Sequence, residues 1–215
     1  MKIIKFKEKK DNVKENINII EELDDFIDRF NIWRRKMRWN RQYKKGKWDY
    51  LKNNEEGPRY DKIIEYIESF ADSKPSVLDL GSGEGILKLK LSEHDIGYFC
   101  GIDFSEVSVK KAREHQYSNS EFFVADLHYY RPSQEFDVIV FNEAFYYIHN
   151  NIKAKALERV ISKLKPNGLL INSIFREGSG CWEYFNIANL EQIEFAKVNS
   201  KKGETYWHLG AYRKK

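Results

Sequence analysis

The spacing of hydrophobic positions changes along this chain and predicts where its helices and strands lie. From residue 76 onward, short apolar runs alternate with helical or turn segments. The runs are Val77–Leu80, Tyr98–Ile102, Phe122–Val124, Val138–Phe141 and Leu169–Ile174. Buried runs joined by crossovers are typical of parallel strands. The pattern therefore predicts an α/β fold with a doubly wound, mostly parallel sheet.

Three further elements follow from the same pattern. Apolar residues recur at helical spacing after Gly57-Pro58 and again after the fourth run, where Pro166-Asn167-Gly168 predicts the closing turn. The first set is Tyr60, Ile63, Ile64, Ile67 and Phe70, and the second is Ile152, Ala156, Leu157, Val160, Ile161 and Leu164. Near the end of the chain, Ile193–Val198 and Thr205–Tyr212 flank a turn at residues 201–204, which predicts an antiparallel hairpin.

Residues 1–57 differ from the rest because they carry dense charge and no alternation of strands and turns. Acidic residues come early in this segment and basic residues late, the order that a helix dipole favours. One apolar stripe at helical spacing contains Ile19, Leu23, Phe26, Phe30, Trp33 and Met37. We predict an N-terminal helical extension over residues 1–57, whose stripe needs a surface to pack on, followed by one domain over residues 58–215.

Composition agrees with a single folded domain, since the chain has 215 residues, 41% of them hydrophobic and 15% aromatic. The formal charge of +4 comes from 37 basic and 33 acidic residues and does not by itself indicate nucleic acid. The N-terminus is charged, and no run approaches the ~18 apolar residues of a membrane span, so we expect a cytoplasmic protein. Cys181, His149 and His208 are too scattered to predict a metal site.

Candidate chemistry begins where the first strand runs into Gly81-Ser82-Gly83-Glu84-Gly85. Glycines allow a sharp turn and close approach to a ligand, and a nicotinamide-binding fold is the obvious competitor. The phosphate-binding spacing G-x-G-x-x-G is absent, however, because the third glycine arrives one position early. Asp79 precedes the first glycine, where it can face an ammonium group. Asp103 ends the second strand, where it can accept hydrogen bonds from two ribose hydroxyls.

The successive motifs VLDLGSGEG, GIDFS, FFVADL, EFDVIVFNEAFYYI and LKPNGLLINS resemble those of class I S-adenosylmethionine-dependent methyltransferases. The match runs from about Ser76 to Ser173, in order as well as content. The resemblance implies S-adenosyl-L-methionine as cofactor and a seven-stranded sheet with the last strand antiparallel, in agreement with the predicted hairpin. It implies the following cofactor-binding residues: Asp79, Gly81, Ser82 and Gly83 at the methionine end, Asp103 on the ribose, Phe104 and Leu127 with Asp126 at the adenine, and Asn142 after the fourth strand.

Asp126 and Phe104 also have purely structural interpretations. Asp126 can serve as a helix N-cap or turn residue, and Phe104 can belong to the core.

Residues 142–150 leave the carboxyl end of the fourth strand, the edge where open α/β sheets bind ligands. Methyl transfer to a hydroxyl or amine needs proximity and a general base, for which Glu143 and His149 are the candidates, with Tyr146 beside them. Glu143 can instead cap a helix or bind cofactor, and His149 can be a helix-end residue. The segment lacks the Asp/Asn-Pro-Pro-Tyr pattern of enzymes that methylate DNA bases. Its sequence, FNEAFYYI, resembles that of methyltransferases that act on small molecules, particularly sugars of surface glycans.

The basic, aromatic stretch over residues 33–41 has three interpretations: a solvated helix face, an RNA-binding surface, or a lid that covers the cofactor together with Trp48, Tyr50 and Tyr60. We favour the lid. The leading hypothesis is methyl transfer to an oxygen or nitrogen of a small polar acceptor, a sugar or sugar conjugate. The alternatives are an RNA methyltransferase, which the nearly balanced charge disfavours, and a non-catalytic S-adenosylmethionine-binding regulatory protein.

Overall fold

The computed structural model describes residues 30–52, 55–187 and 189–215. The helices are α1 (residues 30–44), α2 (Gly57–Phe70), α3 (Ile86–Lys90), α4 (Glu106–Glu114), α5 (Asn150–Ile161) and α6 (Glu183–Ile187). The strands are β1 (Ser76–Leu80), β2 (Tyr98–Asp103), β3 (Ser120–Val124), β4 (Phe136–Asn142), β5 (Leu164–Phe175), β6 (Leu190–Asn199) and β7 (Tyr206–Lys214). Short 3₁₀ turns occur at Asp49–Lys52, Phe145–Tyr147 and Gly178–Gly180.

All seven strands form one sheet in the order β3-β2-β1-β4-β5-β7-β6. Strands β1 to β5 are parallel, and β7 runs antiparallel between β5 and β6. The predicted fold class and C-terminal hairpin are therefore confirmed. The chain order reverses between β1 and β4, and such a reversal opens a crevice at the carboxyl ends of the strands.

Hydrophobic clusters cover both faces of the sheet. Leu78 and Leu80 of β1 pack with α5 on one face, and Val77 packs with α2 on the other. Because side chains alternate along a strand, Asp79 lies on the α2 side with Val77. The predicted stripe of α2 is buried at Tyr60, Ile63, Ile64 and Ile67.

The turn predicted at residues 166–168 differs in the structure, because α5 ends at Ile161 and β5 already begins at Leu164. Asn167 has a positive φ of 60°, and the pairing with β4 shifts register between Leu164 and Leu169. The segment is thus an irregularity within a strand. None of the helices in the described ranges is both long and apolar enough to cross a membrane.

The apolar stripe predicted for the N-terminal helix does not pack inward where the structure describes it. Phe30, Trp33 and Met37 are exposed, at 48%, 55% and 44%. Ile19, Leu23 and Phe26 lie outside the described residues. The face of α1 that meets the rest of the chain instead carries Arg35, Trp39, Asn40 and Tyr43.

Candidate active site

The glycine loop lies directly after β1 and is tied to β2 by its backbone. Gly81 N and Ser82 N both donate to Ile102 O, at 2.9 and 2.8 Å. Gly81 has φ +87°, and a Cβ there would come within 2.6 Å of Ala144 Cβ. A side chain at this position would therefore both strain the turn and strike the segment that follows β4.

Asp103 accepts hydrogen bonds from the glycine loop and from the start of α4. Its Oδ2 accepts from Gly83 N at 3.0 Å, and its Oδ1 accepts from Ser105 N and Ser108 Oγ, each at 2.8 Å. Burial raises the pKa of Asp103, and the hydrogen bonds from Ser105, Ser108 and Gly83 oppose that rise. A carboxylate oxygen can accept about two hydrogen bonds, so Oδ2 can accept from a ligand hydroxyl beside the bond from Gly83 N.

One cavity of about 1030 Å³ extends across the carboxyl ends of β1, β2 and β4. Most of the predicted site residues line it, namely Gly81, Ser82, Gly83, Asp103, Phe104, Asp126, Leu127, Asn142, Glu143 and Tyr146. Asp79 and His149 are not among the lining residues. The structure thus brings together residues from both predicted halves of the site.

Asp126 belongs to a cluster that joins the cavity to α1. His128 N donates to Asp126 Oδ1 at 3.0 Å, and Arg35 lies 3.7 Å from Oδ2. Burial acts to raise the pKa of Asp126, but the hydrogen bonds from His128 and the charge of Arg35 outweigh it and lower the pKa. Oδ2 is buried and has no hydrogen-bond donor in the described chain. It can therefore accept from a ligand amine.

Glu143 directly follows β4 and has a positive φ of 57°. Its Oε1 accepts from Ser173 Oγ at 2.8 Å, and its Oε2 accepts from Phe175 N and from Tyr146 O–H, both at 3.1 Å. Burial raises the pKa of Glu143, while the Arg59 charge and the Ser173 hydrogen bond oppose the rise. The carboxylate thus both fixes the wall between β4 and β5 and faces the cavity.

The predicted base candidate His149 has different surroundings. Its Nε2 lies 3.2 Å from Arg35 Nη1, and its ring lies edge-on to His128 at 4.5 Å. Because arginine only donates, Nε2 of His149 acts as the acceptor in this contact. His149 therefore serves the connection to α1.

Aromatic side chains from α1 and the following turn cover one side of the cavity. Trp39 stacks on Trp48 at 5.3 Å and meets Tyr147 edge-on at 5.2 Å. The hydroxyl of Tyr43 lies 2.9 Å from the position of a Cβ added at Gly83. Asn40 Oδ1 accepts from Ser105 Oγ at 2.7 Å, at the N-cap of α4. The segment after residue 30 is thus part of the wall around the site.

Comparison with known proteins assigns the fold and the motifs to one family. A family model described as a methyltransferase domain matches residues 71–208. The chain belongs to this methyltransferase family. The resemblance found in the motifs and the expected cofactor S-adenosylmethionine are confirmed with it.

Curated relatives of this methyltransferase align over part of their length. Malonyl-[acyl-carrier protein] O-methyltransferase 2 of Ilyobacter polytropus is 32% identical over 122 residues, which cover 54% of this chain and 44% of that protein. Ribosomal protein L11 methyltransferase of Burkholderia thailandensis is 34% identical over 109 residues, which cover 49% of this chain and 33% of that protein. The chain thus spans less than half the length of these relatives.

Solved structures of other methyltransferases share the fold. The N-methyltransferase NodS of Bradyrhizobium japonicum WM9, in complex with S-adenosyl-L-homocysteine, superposes with a TM-score of 0.65 at 20% identity, covering 78% of this chain and 91% of its own. The 1,6-didemethyltoxoflavin-N1-methyltransferase of Burkholderia thailandensis gives a TM-score of 0.69 at 16% identity, covering 83% and 86%. These likenesses establish the architecture of the methyltransferase.

The residues around the loop fit an S-adenosylmethionine molecule. Asp79 is fully buried, and neither of its carboxylate oxygens has a hydrogen-bond donor among the described residues. Burial raises its pKa to about 8, against the opposing charge of Arg59. A buried carboxylate without a partner is unfavourable, and the ammonium of the methionine moiety has the charge that relieves it.

Two buried cations that line the cavity, Arg59 and Lys153, were not predicted from the sequence. Arg59 donates to Asn142 Oδ1 and to Glu56 Oε2, and Lys153 lies at the start of α5. A signal was available, because Arg59 lies four residues before Ile63 and Lys153 four before Leu157, in register with the apolar stripes.

Proposed function

We propose that this methyltransferase moves the methyl group of S-adenosylmethionine to an oxygen or nitrogen of a small polar acceptor, a sugar or sugar conjugate. The cofactor supplies an electrophilic methyl group on its sulfonium. One observation carries the proposal: a single cavity joins the glycine loop and Asp103 to Glu143 and Tyr146 past β4. Cofactor and acceptor can therefore meet inside one cavity.

We assign different residues of the chain to different parts of the cofactor. Asp103 has an accepting position for a ribose hydroxyl, and Asp126 Oδ2 has one for the adenine amine. The ring of Phe104 lies 5.8 Å from the Arg35 guanidinium, beside the adenine position. The glycine loop and Asp79 remain for the methionine end. This assignment gives the ribose, the adenine amine and the methionine ammonium a polar or charged partner.

Glu143 is the better placed of the two base candidates. It lines the cavity, whereas the imidazole of His149 contacts Arg35 and His128. A raised pKa favours a carboxylate that takes a proton from the acceptor, because a base works best when its pKa approaches the working pH. Tyr146 donates to the same carboxylate and positions it.

The walls near Glu143 suit a polyhydroxylated acceptor. Tyr147, Phe175 and Glu177 all line the cavity. Aromatic faces pack on apolar sugar faces, and carboxylates accept from hydroxyls. An RNA acceptor has less support, because Arg35 of the basic stretch turns inward and Lys36 pairs with Glu106.

The cofactor assignment predicts selective binding. We expect S-adenosylmethionine and its demethylated product to bind at micromolar strength, corresponding to ~8 kcal/mol, and NAD not to bind. Asp103→Ala should weaken binding about tenfold, because a hydrogen bond to a charged group is lost. Isothermal calorimetry measures both. Tighter binding of NAD, or equal cofactor affinity in Asp103→Ala, would overturn the proposal.

We also propose that the segment over residues 1–57 acts as a lid, in which Trp39 contacts Trp48 and Tyr147 beside the cavity. We expect Trp39→Ala to increase the dissociation rate of S-adenosylhomocysteine about tenfold, because the wall formed with Trp48 and Tyr147 opens. Trp33→Ala is the matched control, since this exposed tryptophan lies on the same helix. Displacement of labelled ligand gives the rates. Equal rates in wild type and Trp39→Ala would refute the lid.

A further inference from the structure

Lys153 lies buried at the first turn of α5 and is part of the cavity wall. The residue is only 4% exposed and lines the cavity together with Asn150 and Cys181. Helix α5 begins at Asn150, and the N-terminal end of a helix carries partial positive charge. Both the burial and the helix dipole disfavour a cation at this position. A negatively charged partner would therefore stabilise the ammonium group of Lys153.

The ammonium group contacts neutral groups. Nζ donates to Asn150 Oδ1 at 2.9 Å and lies 3.6 Å from Cys181 Sγ. The rings of Phe145 and Tyr184 lie 5.7 Å away. Among the ion pairs of the described residues, none includes Lys153. An ammonium has three N–H donors, so one donor is left for a ligand.

Asn150 adds two N–H donors next to Lys153. Because its Oδ1 accepts from Lys153, the two N–H groups of Nδ2 form the other end of the amide. Its backbone carbonyl accepts from Tyr184 O–H at 3.4 Å. Lysine N–H, amide N–H and the N-terminus of α5 all provide positive charge or donors, and an anion is their chemical complement.

We propose that Lys153, Asn150 and the N-terminus of α5 bind an anionic group, a carboxylate or a phosphate ester, carried by the methyl acceptor. The inference rests on the proposed function, because the bound anion is taken to be part of the molecule that reacts beside Glu143. Residues 143–153 form one continuous segment past β4, which contains both the proposed base Glu143 and the anion-binding residues Asn150 and Lys153. The acceptor is then a charged molecule, anchored at its anion while its hydroxyl or amine faces the methyl group.

The test uses small anions on the full chain saturated with S-adenosylhomocysteine. Acetate and inorganic phosphate are titrated into ¹⁵N-labelled protein, with acetamide as the neutral counterpart of acetate, and the backbone amide signals of residues 150–153 are followed. We expect saturable shifts with millimolar dissociation constants for at least one anion and not for acetamide. The anion that binds more tightly indicates whether the acceptor carries a carboxylate or a phosphate.

Two variants address the same site by different routes. Lys153→Met keeps the buried chain length and removes the charge, and Asn150→Asp supplies an internal carboxylate to Lys153 at a helix N-terminus that favours acids. Each should weaken anion binding about tenfold or more. Lys155→Met is the control, because Lys155 is an exposed lysine on the same helix, and it should leave binding unchanged.

Three results would overturn the inference: equal responses to acetamide and acetate, no response to either anion up to about 50 mM, or wild-type binding by both Lys153→Met and Asn150→Asp. The same samples separate this inference from the proposed function. Bound S-adenosylhomocysteine without an anion response counts against the anion site alone. An anion response in a chain that does not bind S-adenosylhomocysteine counts against the proposed methyl transfer.

Discussion

Asp79→Asn is expected to weaken S-adenosylmethionine binding about 100-fold and to stabilise the ligand-free chain. The wild-type carboxylate is fully buried, has no donor among the described residues and has a pKa raised to about 8. In the proposed complex this carboxylate forms a buried ion pair with the ligand ammonium, and removal of one partner from such a pair costs on the order of 3–5 kcal/mol. Without ligand, the same substitution removes an unfavourable buried acid.

The raised pKa of Asp79 determines how the stability of the chain and its ligand binding depend on pH. An unfolded aspartic acid loses its proton near pH 4, whereas the folded chain keeps it up to about pH 8. The folded state thus holds more protons in that window, and its free energy of unfolding falls as the pH rises through it. At pH 7, binding of the ligand ammonium should release close to one proton from the wild type and none from Asp79→Asn.

Calorimetry in buffers of different ionisation enthalpy counts that proton, and chemical denaturation at several pH values measures the stability. Asp137→Asn is the control, because Asp137 bonds Ser76 and Lys165 outside the cavity. It should destabilise the chain and leave ligand affinity unchanged. Equal proton release in wild type and Asp79→Asn would exclude Asp79 as the partner of the ammonium.

Glu143→Gln should lower the maximal rate by about two orders of magnitude, because a general base contributes 10²- to 10⁴-fold. Cofactor affinity should change little, since the substitution leaves the proposed cofactor-binding residues Asp79, Asp103 and Asp126 unchanged. Burial raises the pKa of Glu143, so the wild-type rate should rise with pH as this carboxylate loses its proton. The variant Glu143→Gln should not show this rise of the rate from acidic to neutral pH.

His149→Asn is the matched comparison for Glu143→Gln. The imidazole contacts Arg35 and His128, so its loss should affect the lid contact and leave the maximal rate within a few-fold of the wild type. A bond made only to the ground-state acceptor would appear as a raised KM instead. If both variants keep full rates from acidic to alkaline pH, positioning by Tyr146 and Tyr147 is the better account.

The core of the fold was predictable because its signals are local. Each parallel strand is a short apolar run, and Gly81 and Gly83 occupy left-handed positions that few other residues tolerate. Asp103 could be placed because the carboxyl ends of parallel strands meet at one edge. These features need no knowledge of distant contacts.

The parts that escaped prediction depend on distant contacts. The exposed Trp33 and the inward Trp39 share one helix, and periodicity alone does not show which face meets the sheet. His149 follows β4 as expected, yet Arg35, 114 positions away in the chain, determines where its ring points. Arg59 and Lys153 lie in register with apolar stripes, but their partners Asn142 and Cys181 come from other elements.

Transfer of a tritiated methyl group from S-adenosylmethionine into fractionated cell extract tests the central claim most directly. The account predicts label in a small, anionic, polar molecule, with S-adenosylhomocysteine formed in equal amount and the transfer slowed about 100-fold in Glu143→Gln. Label that travels with RNA, or S-adenosylmethionine consumed without any labelled acceptor, would contradict it.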